Sequence, residues 1–589
     1  MDKRLGDIIQ STFRLKETEG ESKITTLEEA IRRNIKPKIK LHIAGSPNAA
    51  LRELTRQHWG KKPHITLISN EIMTPYEISL VHCGLVSKII TTNCSYIYPA
   101  PGPIPLIQKA YKEKMVEIEN WSVYSLEQRL MAGALGVGFM PTKSIVGTNM
   151  VEENKNSFKE IKDPFGSGEK VGLVKALTPD FSIIHGCAAD RYGNTLLASP
   201  YYGAIWGPKA SKNGAMVTVE KIVSTDFIRE HSNLVKLPGY LVTSVCVAPF
   251  GSHPRGLAGL GIRGVESYGE DYDFTLNYRK ISKEPNMLEI WLKKWVLDCK
   301  TQEEYLSKLG HQKVLSLKKR AERNAWEDEL ESLAKGFSTS EEYNQTEMMI
   351  VTAARVIIEK VTRNGYKTVL AGVGASGLPA WLGYYLLQKE DRGLDLLIGT
   401  GQVGYAPRPL DPFPGNVSNV ATCKMLTDST EIYGVIVGGE NNKCLSILGA
   451  AQIDKYGNIN TSKIKELYLI GVGGAGDAIH ARETIVITKQ AKDRFLEKVT
   501  FISCPGDRIK TLVTTLGVFE KLGNRREFVL TKYFPNPKLP TKEEKIRNIK
   551  ENCGWDLKVA KFVKEVSPPT LEELMILRLL DPQRFFIRD

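Results

Sequence analysis

Three short loops in the second half of this sequence have the composition to bind an anion through the backbone. They read GVGASGLP (Gly372 to Pro379), GTGQVG (Gly399 to Gly404) and GVGGAGDA (Gly471 to Ala478), and each follows an apolar run of strand character. Glycines at strand ends let backbone N–H groups approach a phosphate or a thioester oxygen with no side chain in between. Taken singly, such a loop serves equally well as a turn. None is a phosphate-binding P-loop, because no Gly-Lys-Ser/Thr follows, and none is a good dinucleotide fingerprint. Three together, at the carboxyl ends of strands, predict a ligand crevice in that half.

The rest of the composition narrows the ligand. A formal net charge of +13 over 589 residues favours an anionic partner. Nucleic acid is not expected, since the chain has no helix-turn-helix cue, zinc-finger spacing or RNP-like aromatic motif. A phosphorylated small molecule fits better, and part of the excess charge sits in a proline-broken basic segment, Lys532 to Lys550, that reads as a solvated linker. The nine cysteines never form a C-x-x-C pair, and several lie in apolar runs. They read as buried thiols of a reducing cytoplasm, with neither a metal site nor a disulfide frame. The N-terminal stretch lacks the apolar core of a secretory signal, and no run is long enough to span a bilayer, so no membrane partner is expected.

The elements that must position these loops alternate in type. KIKLHIAG is followed by NAALRELTRQHW, HITLISN by YEISLVHCG, and YKTVLAG by LPAWLGYYLLQK, which is the α/β pattern of a largely parallel sheet. The chain also repeats itself. SIIHGCAADRYGN begins at Ser182 and SILGAAQIDKYGN at Ser446, with Ser, Ile, Asp, Tyr, Gly and Asn in register at a spacing of 264. Each copy reads as strand, tight turn, strand, with Asp190 or Asp454 bonding its own backbone and Gly193 or Gly457 taking positive φ. Two copies this far apart predict two related large domains rather than a short-period solenoid. The charged stretch before Gly336 to Tyr343 marks the boundary, and the helix TEMMIVTAARVIIEKV, with Thr346 as its cap, opens the second half. The expected division is a polar extension over residues 1–25, then domains over 26–335 and 340–589.

At this point the residues resemble a known family. DPFGSGEKV, HGCAADRYGN, APFGSHP and EYLSKLG in the first half, and GASGLP, GAAQIDKYGNIN, GVGGAGDA, SCPG and ENCGWDLKV in the second, are similar to family I CoA-transferases of the glutaconate CoA-transferase type, with the α and β subunits fused. The resemblance implies two open α/β domains packed face to face with the site between them. It implies an acyl-CoA thioester as substrate, a carboxylic acid as acceptor, no permanently bound cofactor, and a fused chain able to form homo-oligomers. Carried over by motif, Gly372, Gly374 and Gly377 would form the backbone wall at the thioester and supply oxyanion donors. Gly473, Gly474 and Asp477 would lie along the CoA chain, although Asp477 reads equally well as a helix cap.

One position departs from the family. Such transferases carry a Glu-x-Gly at the end of the strand before GTGQVG, and that Glu attacks the acyl-CoA. If Gly401 takes the family's glycine, the Glu position is Gly399. Asp395 at the strand's start is four residues away, about 13 Å of extended chain, and Asp411 lies beyond a proline-rich turn. Three readings stay open: a transferase using another carboxylate, a hydrolase, or a catalytically silent CoA-binding protein. The hydrolase reading follows a two-subunit relative of steroid-ring degradation that lacks this nucleophile and uses water. The matching stretch for that relative's acid/base puts Val123 at the expected Glu, with Glu117, Glu119 and Glu127 nearby. Glu119 is the weak catalytic candidate, and a structural role fits it better. His253 reads as a loop residue.

Overall fold

The computed structural model describes residues 2–16, 20–96, 98–259, 261–333 and 337–588. The expected boundary begins at Gly336, which lies outside the described residues, as do 334 and 335. Two large sheets form. In the first, a parallel run lies in the spatial order Val242–Val247, Ala215–Ile222, Phe181–Ala189, Lys40–Ala44, Ile65–Ile72, Val86–Tyr96, Glu117–Asn120. In the second, the parallel run is Ile509–Thr514, Glu483–Thr488, Cys444–Gly449, Thr368–Leu370, Asp395–Ile398. Five strands therefore share one order and one set of crossovers in both halves. Strands such as Phe181–Ala189 and Glu483–Thr488 are buried along their whole length, as parallel strands covered by helices must be.

The duplicated turn keeps the same internal hydrogen bonds in both copies. Phe181–Ala189 pairs back on Thr195–Leu196, and Gln452–Asp454 on Ile459–Asn460, both antiparallel. Asp190 Oδ1 accepts the N–H groups of Tyr192 and Asn194, and Asp454 Oδ1 accepts those of Tyr456 and Asn458, at 2.9–3.0 Å. Gly193 and Gly457 take φ of 93° and 82°, a region closed to most side chains. Each turn's asparagine then accepts from a distant glycine: Gly239 N donates to Asn194 at 2.8 Å, and Gly506 N to Asn458 at 2.9 Å.

The two halves share a core. One apolar cluster joins Trp121, Leu126 and Leu130 of the first half to Ile432, Val472, Val486 and Phe519 of the second. Each such aliphatic side chain contributes roughly 1.5–3 kcal/mol on burial, so the halves are held as one body. The helix opening the second half is Gln345–Asn364, and its cap is Asn344, not Thr346. Asn344 Oδ1 accepts Glu347 N at 2.8 Å while Glu347 accepts Asn344 N, a reciprocal box that leaves Thr346 buried in the first turn. The N-terminal stretch is helical over Lys3–Ile8 and Ile9–Phe13, with Leu5, Ile8 and Phe13 exposed.

Candidate active site

In each half the chain runs outward in both directions from two adjacent strands, and ligands of open α/β sheets sit at the carboxyl ends of such strands. In the first half these are Lys40–Ala44 and Phe181–Ala189. In the second they are Thr368–Leu370 and Cys444–Gly449. Each place has a glycine that a larger residue could not replace. A Cβ on Gly45 would press on His185 O, and one on Gly372 would lie 2.8 Å from Ile447 O.

A cavity of about 170 Å³ opens at the first of these places and runs between the halves. The first half supplies Gly45, Ser46, Asn70, Glu71, Tyr202 and Arg255 to its wall, and the second supplies Thr400, Gln402 and Val417. Among the described residues three carboxylates line it, and two are committed to backbone. Glu77 accepts the N–H groups of Met73 and Thr74 at 2.9 and 2.8 Å, and Glu270 accepts Val417 N at 3.4 Å. Glu71, at the carboxyl end of Ile65–Ile72, accepts no hydrogen bond on its side chain from any described residue. Burial raises its carboxyl to about 7, an effect that Arg255 opposes and Glu77 reinforces. The Arg255 guanidinium lies 5.0 Å from the Phe413 ring and has no ion-pair partner among the described residues. Thr400 Oγ1 is buried without a hydrogen-bond partner among the described residues.

Position 399 lies beside this cavity and has no room for a side chain. An added Cβ would collide with the Tyr433 hydroxyl and ring, and one on Gly474 would collide with the same hydroxyl. Tyr433 is buried, and burial, with Asp477 and Glu71 nearby, holds its hydroxyl protonated far above the usual tyrosine range. Asp395 and Asp411 are occupied elsewhere. Lys424 pairs with Asp395 at 2.7 Å, and Arg320 and Tyr272 hold the buried Asp411.

The other sequence-derived residues fall around the cavity rather than in its wall. Gly374, at φ 74°, backs onto Pro101 and Phe586, and Gly377 faces Gly372 O. The loop from Gly471 is bonded to the first half: Gly473 N donates to Thr92 O at 2.9 Å, and Val123 N donates to Gly473 O. Asp477 accepts Ser144 Oγ at 2.6 Å and Tyr124 N at 2.9 Å, and burial raises it to about 6 against those bonds. Glu119 is tied to Arg129 at 2.7 Å and Lys88 at 2.8 Å. Glu127 sits behind Asn70, whose amide donates to it at 2.6 Å, and burial raises it to about 7. His253 is buried between Asp271 and Tyr305. Glu71, Arg255 and Tyr433 escaped the sequence reading. Only the position of Glu71 at the end of an apolar strand, in HITLISNEI, could have pointed to it.

The sequence and the fold have known counterparts. Residues 24–248 match the family model for coenzyme A transferase. The α-type chain of glutaconate CoA-transferase from Acidaminococcus fermentans is 28% identical over 320 residues, covering 50% of this chain and 95% of the relative. The β-type chain of 3-oxoadipate CoA-transferase from Pseudomonas knackmussii is 30% identical over 261 residues, covering 41% of this chain and 94% of the relative. Both kinds of chain are thus matched within one polypeptide. An acyl-CoA transferase from E. coli O157:H7, solved as a thioester complex with CoA, superposes with a TM-score of 0.64 at 15% identity over 95% of this chain and 97% of its own, a likeness of fold.

Proposed function

Because the chain belongs to the coenzyme A transferase family, we propose that it takes an acyl-CoA thioester into the cavity between its halves and cleaves it with no covalent intermediate on residue 399. The carrying observation is the Tyr433 hydroxyl standing where a side chain on Gly399 would have to go. Transfer of CoA to a carboxylic acid is the reaction its relatives' names imply. Hydrolysis is the second reading, favoured by the unbonded Glu71 carboxylate in the cavity wall, where it could hold a water. The unpaired Arg255 suits an acyl group with a second carboxylate, as in the glutaconate and 3-oxoadipate for which the relatives are named.

In this reading Gly372 and Gly374 carry backbone donors toward the thioester oxygen, the Gly377 N–H being given to Gly374 O, and the Gly473, Gly474 and Asp477 loop flanks the CoA chain. The division into domains over residues 26–335 and 340–589 belongs to the same proposal. The test is incubation of the purified protein with a panel of acyl-CoAs, with and without carboxylic acids. Released CoA is followed by thiol assay and adducts by mass spectrometry after borohydride. CoA release with an unmodified Leu394 to Pro407 peptide is expected. A reduced adduct in that peptide, or no binding of any CoA thioester by calorimetry, overturns the reading.

A further inference from the structure

We infer that Glu71 is the catalytic base of this site and activates water for attack on the thioester carbonyl, an assignment that rests on the hydrolytic reading above. The geometry selects it by elimination among the cavity carboxylates. Glu77 is spent on the N–H groups of Met73 and Thr74, and Glu270 on Val417 N. Glu119 is locked in ion pairs with Arg129 and Lys88, and Glu127 is covered by Asn70. Among the described carboxylates, Glu71 alone ends a parallel strand, lines the space between the halves and has both oxygens unclaimed by any described residue.

A general base must stand within reach of the proton it takes, directly or through one water. A water held on the Glu71 carboxylate would sit at the cavity wall to which both halves contribute. Glu71 would take one proton from it while the oxygen forms the new bond to the thioester carbon. Collapse of the tetrahedral adduct breaks the C–S bond, and the proton held by Glu71 passes to the departing thiolate. The balance is one thioester and one water consumed, one carboxylic acid and one CoA thiol formed.

The groups facing Glu71 are consistent with such a role. Arg255 comes from the loop after His253, Glu77 from the helix Pro75–His82, Tyr202 from the segment before Trp206, and Tyr433 from the second half. Tyr202 and Tyr433 both keep their protons across the working pH range, since burial raises each. Among the described residues Arg255 is the one nearby cation acting on Glu71, and it holds the carboxyl near 7 rather than higher. Activity therefore rises with pH through about 7 as Glu71 ionises.

The experiment compares the intact protein with E71Q and E71D, using the acyl-CoA that the wild type cleaves best. CoA release should fall about 100-fold or more in E71Q with thioester binding by calorimetry and the melting profile unchanged. E71D should retain a measurable part of the rate, and the ascending limb near pH 7 should vanish in E71Q. Single turnover in ¹⁸O-water should label the released acid and leave the Glu71 peptide unlabelled. Wild-type rates in E71Q, or label entering Glu71 itself, overturn the base assignment alone. A wild type that releases CoA only when an acid acceptor is supplied overturns the hydrolytic reading and the base with it.

Discussion

Gly399 and Tyr433 are complementary: the tyrosine hydroxyl fills the volume that any side chain at 399 would need, although the two residues lie on different elements. Gly474 faces the same hydroxyl from the opposite loop. One tyrosine thus closes the strand end from two sides. Restoring a nucleophile here is consequently a two-residue problem.

Gly399→Glu should destabilise the protein by about 1–3 kcal/mol, the usual range for overpacking a filled site. Adding Tyr433→Ala should recover part of that loss, because the ring atoms nearest the new Cβ are removed. Urea unfolding of both single variants and the double variant gives the coupling. Additive losses would show that the tyrosine can swing aside and does not block the position.

Asp190→Ala and Asp454→Ala should cost similar amounts, each roughly 2–4 kcal/mol from buried donors left without an acceptor. Each aspartate accepts two backbone N–H groups and the following asparagine's amide. Denaturant titration read by far-UV circular dichroism checks the match. A marked difference between the two would mean that the repeated turns carry unequal loads.

Glu119→Gln should lower stability by about 3 kcal/mol through the uncompensated Arg129 guanidinium, which is buried and stacked on Trp121. Thioester cleavage per folded molecule should not change. A selective loss of kcat with intact melting behaviour would instead place Glu119 in the chemistry.

Asp477 gives a stability signal of defined sign. Its folded pKa is raised to about 6 by burial, so the folded state holds a proton that the unfolded chain gives up near pH 4. Stability should therefore fall as pH rises from about 4 to about 6, by on the order of 2 kcal/mol from this group. Asp477→Asn should flatten that part of the curve. Thermal melts across this range, wild type against variant, measure it. Parallel curves would show that the loop opens to water around Asp477.

The paired sheets, the duplicated Asp-x-Tyr-Gly-Asn turns and the family were legible in the residues because they are local. Strand periodicity, a glycine at positive φ and an aspartate bonding its own backbone are fixed within a few positions of the chain. The absence of a side chain at 399 was equally legible, since glycine is read directly. The identity of what fills that space was not, because Tyr433 lies 34 positions further on and meets Gly399 only through the packing of helix against strand end. The cavity was beyond sequence for the same reason. Glu71 lies on a strand of one sheet and Thr400 in the turn after a strand of the other, more than 300 residues apart, and only the meeting of the two halves brings both to one wall. The glycine loops drew attention to the second half, whereas the first half supplies most of the cavity. Conformational freedom announces itself in a sequence, but the burial that leaves one carboxylate unbonded and raises its pKa is a property of tertiary contact.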